Sequence, residues 1–119
     1  MSQPPVVLVV EGEPVLRMIA LDHLEDAGLS AVEACNAADG MARLEQNPSI
    51  KVVWTDIQMP GKDGLSFAME ARQRWAHLDF IFLSGGTTLG DSELPERSVF
   101  FAKPYVASTV IEIIRRFLH

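Results

Sequence analysis

The sequence predicts an α/β fold, a parallel sheet with helices packed on both faces. Three observations carry this. Short apolar runs recur at 6–10 ("VVLVV"), 51–56 ("KVVWTD") and 80–84 ("FIFLS"), and strands covered on both faces of a parallel sheet read this way. The stretches between them carry apolar residues at helical spacing, so strands and helices alternate. The strand-like runs give way to acids, a hydroxyl or a lysine, which matters because function in such sheets gathers at strand carboxyl ends.

The elements follow in order. After the strand at 6–10, Pro14 suits a first helical turn and Leu16, Ala20, Leu24 and Ala27 share one face. Gly28 is a natural stop. "SAVEA" (30–34) is shorter on apolar residues and suits an edge strand. Asn36 is a candidate N-cap for a helix over 36–47, with Ala37, Met41 and Leu44 inward. The strand at 51–56 ends in Asp56 and a turn-rich "IQMPGKDG" (57–64). A helix over 65–75 is expected to bury Leu65, Ala68 and Met69. The strand at 80–84 ends in Ser84 and two glycines, and "SVFFAKP" (98–104) ends in Lys103-Pro104. A last helix over 107–118 is expected to bury Val110, Ile113, Ile114 and Phe117.

The totals narrow the function. With 119 residues the chain fits one domain, 1–119, and 48% hydrophobic residues supply a core. A net charge of -6 argues against a nucleic-acid surface. Cys35 is the only cysteine, so no disulfide forms within the chain. The opening "MSQPP" lacks the basic and apolar regions of a signal peptide, and no run approaches the ~20 apolar residues of a membrane span. The expectation is a cytoplasmic protein with no membrane partner. His23, His77 and His119 show no metal-ligand spacing.

The predicted strand ends bring Glu11 with Glu13, Asp56, Ser84 and Lys103 to one rim. Singly, each has a plain reading: Asp56 as a turn cap, Ser84 bonded to backbone, Lys103 solvated, the glutamates at an acidic helix entry. Together they suit phosphoryl chemistry. Carboxylates repel unless a cation sits among them, and such oxygen ligands suit Mg2+. An Asp can act as nucleophile toward phosphorus, with Lys103 and Ser84 meeting the equatorial oxygens. A flavodoxin-like cofactor domain fits poorly, because "EGEP" (11–14) offers negative charge where a phosphate would sit.

"TDIQMPGKDG" (55–64), "FLSGG" (82–86) and "FFAKPY" (100–105) carry a resemblance. Over nearly its whole length the chain resembles a receiver domain of the two-component response regulators, of the chemotaxis-regulator kind. The resemblance implies a flavodoxin-like, doubly wound five-stranded parallel sheet in order 2-1-3-4-5, flanked by five helices. It implies that Asp56 is the phosphoacceptor and that Lys103 contacts the phosphoryl group, through a Lys103–Pro104 peptide that is cis. Ser84 and Phe100 become the switch pair. Gly85 gives access to the acceptor, and Gln58 and Gly86 take positions that tune hydrolysis. Mg2+ is implied as cofactor, held by Asp56, the Gln58 backbone carbonyl and an acidic pair beginning at Glu11. A histidine kinase or phosphotransfer protein is implied as donor, with a downstream protein as receiver of the signal. The domain itself is not an enzyme in the turnover sense.

Two departures stand out. The second acid of the pair, normally a direct metal ligand, is Gly12 here. Glu11 reaches the metal itself, Glu13 bends in, an extra water fills the gap, or the chain is a pseudo-receiver that binds partners without phosphorylation. "GGTTLGDSELPERS" (85–98) is poor in apolar residues where the family places its fourth helix, so that helix is expected to be short or irregular. On the last helix, Ile111 and Leu118 with Arg115 are expected off the buried stripe, a candidate partner patch. The fourth-helix and last-helix face is the candidate homodimer surface.

Overall fold

A computed structural model describes residues 4–86 and 94–118. Five strands, β1 (Val6–Val10), β2 (Ser30–Ala34), β3 (Ile50–Asp56), β4 (Asp79–Ser84) and β5 (Ser98–Ala102), form one sheet in the order β2-β1-β3-β4-β5. Every pairing is parallel. Among the described residues, four helices connect or follow them: α1 (Pro14–Asp26), α2 (Ala37–Gln46), α3 (Gly64–Arg74) and α4 (Ala107–Leu118). This is the doubly wound topology that the sequence predicts. The short or irregular fourth helix is expected at 85–98, of which 87–93 lie outside the described residues. At 85–86 and 94–97 the chain is non-helical.

Side chains alternate across the three central strands, so each apolar run feeds two cores. Leu8, Val10, Val53, Phe80 and Phe82 pack with Phe67, Ala68 and Ala71 of α3 and Leu44 of α2. Val7, Val9, Val52, Trp54, Ile81 and Leu83 pack with Ala20 and Leu24 of α1 and Val110, Ile111 and Ile114 of α4.

Local signals set the helix ends. Pro14 occupies the first turn of α1, and Gly28 follows that helix at φ 77°. Asn36 caps α2 by accepting from the Asp39 N–H at 2.8 Å, and Asp63 caps α3 by accepting from the Ser66 N–H at 2.8 Å.

Two helix faces differ from expectation. On α3 Gly64, Phe67, Ala68 and Ala71 are buried and Leu65 is partly buried against the same core, as the sequence predicts for Ala68 and Leu65, while Met69 is 61% exposed. Capping by Asp63 starts the helix at Gly64 and turns the Phe67 ring onto the sheet. On α4, Ile111 is buried with Val110 and Ile114, Phe117 and Ile113 are partly buried, and Leu118 packs against the same core. Arg115 donates to the Ala27 carbonyl at 2.9 Å. The expected patch of Ile111, Leu118 and Arg115 is therefore largely occupied within the chain.

Candidate phosphoacceptor site

The parallel register brings four strand ends level. Val10 pairs with Thr55, Asp56 with Leu83, and Ser84 with Ala102. Glu11 leaves β1 still bonded to β2, its N–H donating to the Ala34 carbonyl at 3.0 Å. Lys103 leaves β5 with its N–H on the Ser84 carbonyl at 2.9 Å, and the Lys103–Pro104 peptide is cis.

Three of the expected residues meet. Lys103 Nζ lies 2.9 Å from Asp56 Oδ2 and 3.3 Å from Glu11 Oε1, bridging the two carboxylates. The other oxygens are also held. Asp56 Oδ1 accepts from the Gln58 N–H at 3.2 Å, and Glu11 Oε2 accepts from the Glu13 N–H at 3.1 Å. Burial lowers the Lys103 pKa, but its hydrogen bond to Asp56 and the charges of Glu11 and Asp56 outweigh burial and raise it above 10.5. Lys103 is thus a fixed cation at neutral pH.

The other predicted residues sit around this pair. Ser84 is buried, and its Oγ accepts from the Gly86 N–H at 3.3 Å. Gly85, Gly86 and Gln58 line the open cleft above Asp56, a space of about 550 Å³. The Gln58 carboxamide lies against Gly86, 2.9 Å from where a Cβ there would stand. Glu13 also lines this cleft, with an exposed side chain that makes no cap bond on α1. Phe100 is apart from the acids, partly buried against the α2–α3 core.

Gly12 is not imposed by packing. A Cβ there would have only the Cys35 carbonyl oxygen nearby, at an ordinary 3.6 Å. The gap instead opens the cleft toward Cys35 and Asn36. The residues present fit a small divalent cation. Two carboxylates converge on one ammonium in an open cleft, and Mg2+ binds through one or two carboxylates while keeping several waters. Among the described residues no group of three or more His, Cys, Asp or Glu side chains surrounds a metal position, so waters and the Gln58 carbonyl would complete the shell.

Sequence reasoning missed Arg17 and Gly64. Arg17 donates to the Glu11 carbonyl; its signal was a lone cation at the start of a helix, where the dipole disfavours it. Gly64 packs a helix start directly on the Asp56 carbonyl; a Cβ would stand 2.2 Å from that oxygen.

Known proteins share this sequence pattern and fold. The response regulator receiver domain model matches residues 7–97. The response regulator receiver protein CpdR of Brucella abortus is 27% identical over 115 residues, covering 94% of this chain and 95% of that protein. The aerobic respiration control protein ArcA of Escherichia coli K12 is 36% identical over 83 residues, covering 70% of this chain. This match spans 34% of ArcA, and that with AruR of Pseudomonas aeruginosa spans 36% of AruR, so the chain spans about a third of each. A response regulator receiver protein from Pseudomonas putida superposes with a TM-score of 0.87 at 26% identity, covering 98% of this chain and 99% of its own. With the sheet order, the level strand ends and the Lys103 bridge in place, the chain belongs to the response regulator receiver domain family.

Proposed function

We propose that this receiver accepts a phosphoryl group on Asp56 from a phosphohistidine and signals through altered protein binding. The observation that carries the reading is Lys103, whose ammonium contacts Asp56 and Glu11 at the floor of an open cleft. An Asp56 carboxylate oxygen attacks phosphorus in line with the leaving imidazole. The P–N bond breaks as the acyl phosphate O–P bond forms, and the imidazole takes its proton from solvent. Lys103, already beside the attacking carboxylate, meets charge developing on the equatorial oxygens. Glu11, Asp56 and the Gln58 carbonyl would hold Mg2+, which supplies further neutralisation of phosphoryl charge when bound. Ser84 and Phe100 form the proposed switch, one beside the acceptor and one against the α2–α3 core.

The donor would be a histidine kinase or phosphotransfer protein. The first turns of α1 present Val15, Leu16, Met18 and Ile19 to solvent beside the cleft, an apolar face for such a protein.

The test is incubation with acetyl phosphate, with and without Mg2+, read by intact mass. One phosphoryl adduct in wild type, absent in Asp56→Asn, is the expected result. Gly12→Asp finds space for its Cβ and should increase the Mg2+-dependent rate. No adduct in wild type, with one in Gly12→Asp, would instead identify an adaptor that works by protein contacts alone.

A further inference from the structure

We infer that Arg17 is a positioning residue: its guanidinium straps the Glu11 carbonyl to Glu33 and so holds the Glu11 carboxylate beside Asp56 across the Gly12 turn. The inference rests on the phosphoacceptor reading for its consequence in metal binding, but the strap itself stands on geometry.

Arg17 Nη1 donates to the Glu11 carbonyl at 2.8 Å, and Arg17 Nε donates to Glu33 Oε1 at 3.1 Å. The Arg17 side chain is only 18% exposed and its bond to the Glu11 carbonyl is partly buried, while its bond to Glu33 lies at the surface. Its own backbone is fixed by α1, the Arg17 N–H donating to the Glu13 carbonyl at 2.9 Å. Glu33 lies on β2 opposite Val9 of β1. The strap therefore closes a ring from β1, across the turn, through α1 and back to β2.

The turn has reason to be strapped. Gly12 has more backbone freedom than any other residue type, and it separates Glu11 from Pro14, whose φ is fixed. Rotation at Gly12 would move the Glu11 peptide without disturbing either the sheet or the helix. A charge-assisted bond to the Glu11 carbonyl removes that freedom. The carbonyl in turn fixes the backbone from which the Glu11 carboxylate reaches Lys103 at 3.3 Å and the Glu13 N–H at 3.1 Å. With no acid at position 12, the placement of Glu11 decides whether a second carboxylate stands at the metal position at all. Arg17 does not line the cleft that holds Asp56 and would act through Glu11.

Two readouts on the full chain test this. Mn2+ binding, followed by the electron paramagnetic resonance signal of the free ion, should weaken about 10-fold or more in Arg17→Gln, as loss of outer-shell partners does. Arg17→Lys should recover part of that loss, and Glu33→Gln, which leaves the carbonyl bond, should cost a few-fold at most. Amide exchange of Glu13, whose N–H rests on the Glu11 carboxylate, should speed up in Arg17→Gln while amides of β4 keep their wild-type rates. Unchanged Glu13 exchange in Arg17→Gln overturns the inference whatever the metal does. Equal acceleration at Glu13 and β4 also overturns it, assigning Arg17 to general stability. Should wild type take up no Mn2+, the metal reading fails, and faster Glu13 exchange in Arg17→Gln still supports the strap.

Discussion

Substituting Gly64 tests how tightly Asp56, the proposed acceptor, is held. A Cβ at this position would stand 2.2 Å from the Asp56 carbonyl oxygen, and 3.0 Å from both the Asp56 carbonyl carbon and the Ile57 Cα. Real Cβ contacts essentially never fall under 3.0 Å, so backbone must move by close to an ångström, with no flexible side chain to yield. The helix start is further pinned by the Gly64 N–H on the Ile57 carbonyl at 2.8 Å. Overpacking of this kind costs about 1–3 kcal/mol. In urea, where small proteins lose about 1–3 kcal/mol per molar, Gly64→Ala should lower the unfolding midpoint by about 1 M, read by Trp54 and Trp75 fluorescence. Because the displaced backbone carries Asp56, acetyl phosphate labelling should slow by up to about 100-fold, as ångström-scale misplacement of reacting groups does. Gly61→Ala is the control. Gly61 has φ 82° and nothing within 4 Å of its missing Cβ, so it should cost about 1 kcal/mol of backbone strain and leave labelling unchanged. A Gly64→Ala protein with wild-type stability and labelling would refute the claim that this helix start positions the acceptor.

Asp79 opens β4, and burial, outweighing the nearby Arg97, raises its pKa above 3.8. A raised acid binds its proton more tightly when folded, so its favourable contribution is present below the ordinary value and is lost as pH rises through the raised one. Asp79→Asn should therefore be more stable than wild type at pH 7, with the gap closing toward pH 4; a less stable variant at pH 7 would mean that the Arg97 pair, at 3.8 Å, outweighs burial. Lys103→Met should separate binding from chemistry, slowing labelling by about 10²-fold or more while Mn2+ binds more tightly to carboxylates no longer engaged by an ammonium. Weaker Mn2+ binding in that variant would contradict the electrostatic account of the site.

The central sheet was legible because β1, β3 and β4 have both faces covered, and a short unbroken apolar run suits a doubly covered strand better than any element with a wet face. β2 was legible as an edge by its mixed pattern. The helix faces were harder. "LSFAMEA" (65–71) contains two overlapping apolar stripes, Leu65–Ala68–Met69 and Phe67–Ala68–Ala71; docking on the sheet buries the second fully, leaves Leu65 partly buried and turns Met69 out. "VIEIIRRFL" (110–118) poses the same ambiguity; helical rotation against β3 and α1 buries Ile111 more fully than Ile113. Leu16 reads as inward by its spacing from Ala20, yet it is 37% exposed and lines the cleft beside Glu11, while α1 buries only Ala20 and Leu24 fully.

The candidate site was legible for a different reason: a parallel sheet sends its strand ends to one rim, so chemistry-bearing residues that follow apolar runs must meet. That logic finds side chains that the strand ends themselves bring together, such as Asp56 and Lys103. It misses groups that act through backbone. Arg17 holds a carbonyl, and Gly64 matters for the side chain it lacks, so neither enters a pattern of charged strand ends. The same distinction bears on Gly12. Neither its backbone nor its surroundings require glycine, so the missing acid is a chemical change and not a packing compromise. Its effect is on charge: Glu11 and Asp56 face Lys103 as two anions to one cation, where a further acid would make three. A divalent cation arriving here gains less attraction than at a three-acid site, while Lys103 neutralises a larger share of the acceptor's charge. Dependence on the metal should then fall and dependence on Lys103 should rise. The Gly12→Asp and Lys103→Met proteins therefore probe opposite ends of one electrostatic balance.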